Sequence, residues 1–199
     1  MRDSVNKRTL RDDILDATDD LLTRYGYRKM TIDDLAREVG IGKGTVYLYF
    51  SSKEEIALSH IDRIIERLKS RLWEIAGSTL TPEQKIRKML VERVMFRFDA
   101  VQHYKMSLDE LMSQVRPNLL DRRKRYFEEE ANVFATVLSQ EMERVTFHGT
   151  VEEISRLLLI ATNSLLPYSL STNELGSRRE IEDKVSRLAE LLVAGTTAR

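Results

Sequence analysis

The chain has 199 residues, room for one or two domains with a sizeable core. Its 32 basic and 32 acidic residues cancel, which excludes a polycation and requires any nucleic-acid affinity to come from charge gathered locally. Cysteine is absent, so disulfides, thiolate metal sites and thiol redox chemistry are excluded; 8 glycines, 3 prolines and no strand-like alternation point to an all-α fold.

The elements follow in chain order. Residues 1–6 are polar and expected to fray, with Arg2 in reach of a phosphate. A first helix is expected over 7–25, on the stripe Leu10, Ile14, Ala17, Leu21, Leu22 and Tyr25, with Gly26 ending it and Tyr27 and Met30 completing its core. A second helix starts at Thr31, whose hydroxyl caps free N–H groups, while Asp33 and Asp34 suit the positive end of the helix dipole. Ile32, Leu35, Ala36 and Val39 form its stripe, Gly40 ends it in the left-handed conformation, and Ile41 plugs the small core.

Gly42 opens a third helix over 43–49. Val46 and Phe50 point inward, which leaves Lys43, Thr45, Tyr47 and Tyr49 outward. Between Gly40 and Lys53 there are two lysines, Lys43 and Lys53, and no acid. Two short helices joined by a glycine turn, with an outward face of Lys, Thr and Tyr, fit a helix-turn-helix that enters a DNA groove. Gly42 and Gly44 allow close approach of the backbone to the duplex. The competing reading is a helical hairpin in an unrelated bundle, with the tyrosines half-buried.

Ser51 with Glu54, or Ser52 with Glu55, makes a capping box for a fourth helix over 53–76. Ile56, Leu58, Ile61, Ile64, Ile65, Leu68, Leu72, Trp73 and Ile75 make it apolar on more than one side, as a connector would be. Further helices are expected over 82–98, 103–115, 117–145, 151–169 (kinked at Pro167) and 177–194, about nine in all, with a mobile tail from Gly195. The expected division is a helix-turn-helix domain over 1–52, a connecting helix over 53–77, and a helical ligand-binding and dimerisation domain over 78–199.

The stretch Gly40-Ile41-Gly42-Lys43-Gly44-Thr45-Val46-Tyr47-Leu48-Tyr49-Phe50-Ser51-Ser52-Lys53-Glu54-Glu55 resembles the signature of the tetracycline-repressor (TetR) family of bacterial regulators. The likeness is specific over about residues 7–60; beyond that only length and helical character agree. It implies base contacts by Lys43 and Thr45, phosphate or sugar contacts by Tyr47 and Tyr49, and phosphate contacts by Thr31 and Lys53. Gly44 fits close backbone approach, and Leu48 departs from the polar or aromatic residue common at its position. The resemblance further implies a homodimer through the last two long helices, whose faces carry Val151, Ile154, Leu157, Leu158, Ala161, Leu165 and Ile181, Val185, Leu188, Leu192. It also implies a palindromic operator, a small hydrophobic or amphipathic effector, and a cytoplasmic repressor that sits on the nucleoid when bound to DNA. An activator of the same fold, or a helical protein-interaction module, are the alternatives.

Effector contacts are expected from Arg93, Phe96, Arg97, Tyr104, Met112, Phe134, Asn163 and Tyr168, all of which serve equally as ordinary core. Phe98 and Met106 are further linings to weigh, and Ser164 a further polar group. A buried arginine needs a partner, either an anionic ligand or a carboxylate such as Asp109, Glu110 or Glu128. His60, His103 and His148 have no metal-ligand spacing, no phosphate loop or catalytic constellation appears, and neither a signal peptide nor a membrane-length apolar run is present. No metal, cofactor or enzymatic activity is therefore expected. The helix over 53–76 is the expected lever between effector and DNA, so a proline at Ile64 should uncouple them.

Overall fold

The computed structural model describes residues 2–140, 149–171 and 173–196. Among them the regular structure is entirely helical: α1 (Arg2–Lys29), α2 (Ile32–Val39), α3 (Lys43–Tyr49), α4 (Lys53–Ala76), α5 (Pro82–Val101), α6 (Leu108–Ser139), α7 (Val151–Thr162) and α8 (Arg178–Thr196). None of the described helices is long and apolar enough to cross a membrane. The Arg2 side chain, the expected helix end at Val145, His148 and residues 197–199 lie outside the described residues.

The chain forms two compact units, one of residues 1–63 and 103–120, the other of 64–102 and 121–199. In the first unit, α1 carries Ile14, Leu15, Leu21 and Leu22 at helical spacing, all essentially inaccessible. Gly26, at φ 75°, breaks α1 before the last turn, which delivers Tyr27 and Met30 to the same core. Tyr25, expected in the stripe, instead faces solvent. The core is completed by Leu35, Val46, Phe50, Ile56, Tyr104, Leu108, Leu111 and Val115.

The second unit packs α5 along α8, with α7 against both. Its core joins Leu68 and Leu72 of α4, Met89 and Leu90 of α5, Phe134 and Val137 of α6, Leu158 and Leu159 of α7, and Ala189 of α8. Burying one such side chain contributes about 1.5–3 kcal/mol. Thr81 caps α5 in a complete capping box with Gln84, ahead of Pro82 in the first turn.

Three boundaries differ from expectation. The expected sixth and seventh helices are one helix, α6, so the described residues carry fewer α-helices than nine. Pro117 sits inside α6. The stripe Leu108, Leu111, Val115, Leu119 runs through it in register, and its burial outweighs the one lost backbone bond. Residues 102–107, taken as part of a helix from 103, form a 3-10 turn. The helix expected over 151–169 stops at Thr162 and gives way to two 3-10 turns, Asn163–Leu165 and Pro167–Ser169. Leu166, the residue before Pro167, is extended (ψ 142°), because the proline ring excludes helical geometry there.

Candidate nucleic-acid interface and a buried polar cluster

Thr31 caps α2 through a reciprocal box: Asp34 N donates to Thr31 Oγ1 (3.1 Å) and Thr31 N donates to Asp34 Oδ2 (3.2 Å). The Thr31 hydroxyl also donates to that carboxylate, which holds Asp34 below the usual carboxylate range. At the other end Gly40 adopts φ 73°, ψ 33°, and Ile41 N donates back to Ala36 O (2.9 Å), closing the helix by the glycine turn expected there.

The turn delivers α3 with Val46 and Phe50 buried and its other face outward. Lys43 is exposed, Thr45 and Tyr49 are half-buried, and Tyr47 is 49% exposed. Leu48, set aside in the sequence reading, is 82% exposed on the same helix. Its signal was available: a leucine off the apolar stripe of a seven-residue helix has no core to enter. A Cβ built on Gly44 meets nothing within 4 Å, so nothing inside the protein requires glycine at that position.

Lys43 Nζ donates to Asp33 Oδ2 (2.8 Å), and this hydrogen bond raises the lysine pKa. Lys53 begins α4 behind Ser52, whose Oγ accepts from Glu55 N (3.0 Å). The Lys53 ammonium donates to the Arg28 carbonyl (3.2 Å) and lies 4.4 Å from the Tyr27 ring centroid. Burial lowers its pKa, offset in part by Glu110. Arg24 pairs with Glu38 (2.8 Å), tying α1 to α2.

In the second unit, Arg93 and Arg97 share one carboxylate, Glu130, and all three are buried. Arg93 Nε donates to Glu130 Oε2 (2.7 Å), Nη1 to Thr162 Oγ1 (2.8 Å) and Leu159 O (3.3 Å), and Nη2 to Asn163 Oδ1 (2.8 Å). Arg97 Nη1 donates to Arg93 O (3.0 Å) and Nη2 to Glu130 Oε1. Burial works to raise the Glu130 pKa, yet the two guanidiniums hold it below the usual carboxylate range. The carboxylate partners considered in the sequence are not these: Glu128 pairs with Arg156 (2.8 Å), on the opposite side of α6 from Glu130.

Of the eight residues expected around an effector, Arg93, Arg97 and Asn163 meet in this cluster. Phe134 is buried one turn beyond Glu130, and Phe96 packs on the core edge. The Tyr168 ring lies 4.6 Å from the Arg123 guanidinium. Tyr104 and Met112 belong to the first unit, where Tyr104 stands edge-on to His60 with ring centroids 6.0 Å apart. The 3-10 turn at 102–107 is what sends Tyr104 there. Among the described residues no group of three or more His, Cys, Asp and Glu side chains is placed to hold a metal.

The family model described as "Bacterial regulatory proteins, tetR family" matches residues 14–59, which hold α2, α3 and the start of α4. The uncharacterised HTH-type transcriptional regulator YhgD of Bacillus subtilis is 28% identical over 94 residues, 47% of this chain and 48% of that protein. The chain thus spans about half the length of that curated relative. The match to the HTH-type transcriptional repressor KstR2 of Mycobacterium tuberculosis is longer, 27% identical over 155 residues, 74% of this chain and 73% of the relative. Among solved structures, the transcriptional regulator FadR from Bacillus subtilis in complex with stearoyl-CoA shares the fold, with TM-score 0.65 at 18% identity over 92% of this chain and 97% of that one. Residues 14–59 thus match the helix-turn-helix region of the tetR family of bacterial regulatory proteins, and the chain shares its fold with solved transcriptional regulators.

Proposed function

We propose that the protein is a DNA-binding transcriptional repressor that acts as a homodimer on a palindromic operator and is released by a small amphipathic effector. The observation that carries the DNA-binding part is α3. One side is locked by buried Val46, while Lys43, Tyr47 and Leu48 are presented to solvent on the other. Lys43 and Thr45 read base edges, Tyr47, Tyr49, Thr31 and Lys53 contact phosphate or sugar, and Gly42 and Gly44 let the backbone approach. Leu48 adds an apolar contact suited to a thymine methyl.

Dimerisation is supported by the outer faces of the last two helices. Leu157 (61%) and Ile160 (56%) on α7 and Leu191 (73%) on α8 are large apolar side chains left exposed in the protomer. A two-fold dimer would match a palindromic site. Repression follows the relative KstR2, named a repressor, and the effector class follows the solved FadR complex with stearoyl-CoA. The division into a head over 1–52, a connecting helix over 53–77 and an effector and dimer region over 78–199 belongs to this reading.

The test is selection of bound duplexes from a random pool at near-physiological salt, with the mass in solution measured alongside. Enrichment of a palindrome by a dimer is the expected result. No enrichment by folded protein, before and after unfolding and refolding to strip any bound effector, overturns the proposal.

A further inference from the structure

The Arg93–Glu130–Arg97 cluster divides into a satisfied half and an unsatisfied half. Arg93 is complete: each guanidinium nitrogen has a partner among Glu130, Thr162, Asn163 and the Leu159 carbonyl. One arginine on one carboxylate would have made a neutral, fully bonded strut between α5, α6 and the end of α7. Arg97 adds a second positive charge to the same carboxylate, and its Nε is buried with no hydrogen-bond partner among the described residues.

The carboxylates within two residues of Arg93, Arg97 or Glu130 in sequence are engaged elsewhere. Asp99 holds Arg178 (2.9 Å), Glu128 holds Arg156 (2.8 Å), Glu129 holds Lys69 (2.7 Å), and Glu92 faces Arg71 (3.5 Å). Among the described residues, therefore, the cluster keeps one positive charge in excess at a residue 4% exposed. A buried ion without counter-charge is costly, and one with an idle donor doubly so. What would satisfy both is a single negative charge that accepts a hydrogen bond. Phe134 lies one turn along α6 from Glu130 within the apolar core of this unit, and Phe96 and Phe127 pack on that core.

We infer that Arg97 anchors the effector, and that the effector is a monoanion with an apolar body, its carboxylate accepting from Arg97 Nε. This rests on the effector-release reading above and names the ligand class for it.

The full-length protein is titrated with sodium octanoate, with sodium acetate, and with octanamide as the uncharged counterpart, following the melting temperature and operator binding. Octanoate is expected to raise the melting temperature by about 3–5 °C at tenfold over its Kd. Affinity is expected to rise up to about fourfold per methylene from acetate upward. Octanamide is expected to bind at least tenfold more weakly. Arg97→Met leaves the Arg93–Glu130 pair intact and should abolish the preference for octanoate over octanamide. If Arg97→Met does not fold, nitrogen-edited NMR of the wild-type arginine Nε–H groups replaces it. A protected Nε–H signal should then move with octanoate and stay still with octanamide.

No octanoate effect, equal effects of octanoate and octanamide, or an Arg97→Met protein that responds as wild type each overturns the anchor. Equal effects of both probes with operator release would leave the effector reading standing while the anchor falls. Octanoate binding through Arg97 without operator release would keep the anchor and remove effector control.

Discussion

Lys43 and Asp33 face each other across the helix-turn-helix, ammonium to carboxylate at 2.8 Å, the first residue of α3 bound to the first turn of α2. The carboxylate aims the lysine and also stands beside the surface proposed to meet phosphates. Asp33→Asn should therefore tighten binding to any duplex by about two- to fivefold at low salt. The same change should narrow the ratio between operator and scrambled DNA. Fluorescence anisotropy at several salt concentrations on both duplexes measures the two effects; an unchanged ratio would remove Asp33 from base selection.

Gly44 separates folding from binding. With open space around a built Cβ and a place inside α3, Gly44→Ala should stabilise the fold by about 0.5–1 kcal/mol. If the backbone approaches DNA there, the same methyl should weaken operator binding. A higher melting temperature with undiminished binding would show that the duplex stays away from this position.

Lys53 has two tasks to distinguish. Its stem and ammonium hold Tyr27 and the Arg28 carbonyl, and its charge is proposed to meet a phosphate. Lys53→Met keeps the stem and removes the charge. It should reduce affinity alike for operator and scrambled DNA and flatten the slope of log K against log salt by about 0.9. An unchanged salt slope would confine Lys53 to packing.

Glu130 sets an acid limit on the second unit. Its native pKa lies below its unfolded one, so its contribution is complete above the ordinary carboxyl pKa of about 4.3 and disappears as pH falls through the depressed native value. Melting temperatures should therefore fall with acidification below that point. Glu130→Gln should cost about 3–5 kcal/mol at neutral pH, since two guanidiniums then share a neutral amide. It should also flatten the acid limb, and equal acid slopes for both proteins would contradict the assignment.

The outer faces of α7 and α8 predict a change of mass. Leu157→Glu combined with Leu191→Glu alters side chains already exposed in the protomer, so helicity by circular dichroism should stay constant. Light scattering should report a monomer in place of a dimer. A dimer that survives the pair would place the interface elsewhere.

Local chemistry announced itself well. Thr31, Gly40 and Ser52 act as the caps or cap partners their residue types suggest, because capping depends only on neighbours a few positions away. The inward set Val46 and Phe50 was equally legible from spacing. Pro117 misled because its local preference was weighed above an apolar stripe that continues past it. The sequence reading offers Asp109, Glu110 and Glu128 as carboxylate partners for Arg93 and Arg97, and not Glu130; Glu128 and Glu130 differ by about 200° around a helix, and register between distant helices is not written in either one. Tyr104 and Met112 were assigned to the effector region for the same reason: which unit a turn delivers its residues to is a tertiary choice.

The first unit is assembled from two stretches of chain separated by some forty intervening residues. Tyr104 stands against His60, Asn118 Nδ2 donates to Glu54 Oε1 (2.7 Å), and a Cβ at Gly26 would meet Ser107 at 3.1 Å. During synthesis the helix-turn-helix therefore leaves the ribosome well before its unit can be finished. A gene fragment cut at residue 52 or 63 encodes α2 and α3 but leaves out Leu108, Leu111 and Val115, which are buried in the same unit. A minimal piece that holds the helix-turn-helix folded has to run to Leu120 or be given a surrogate for those residues.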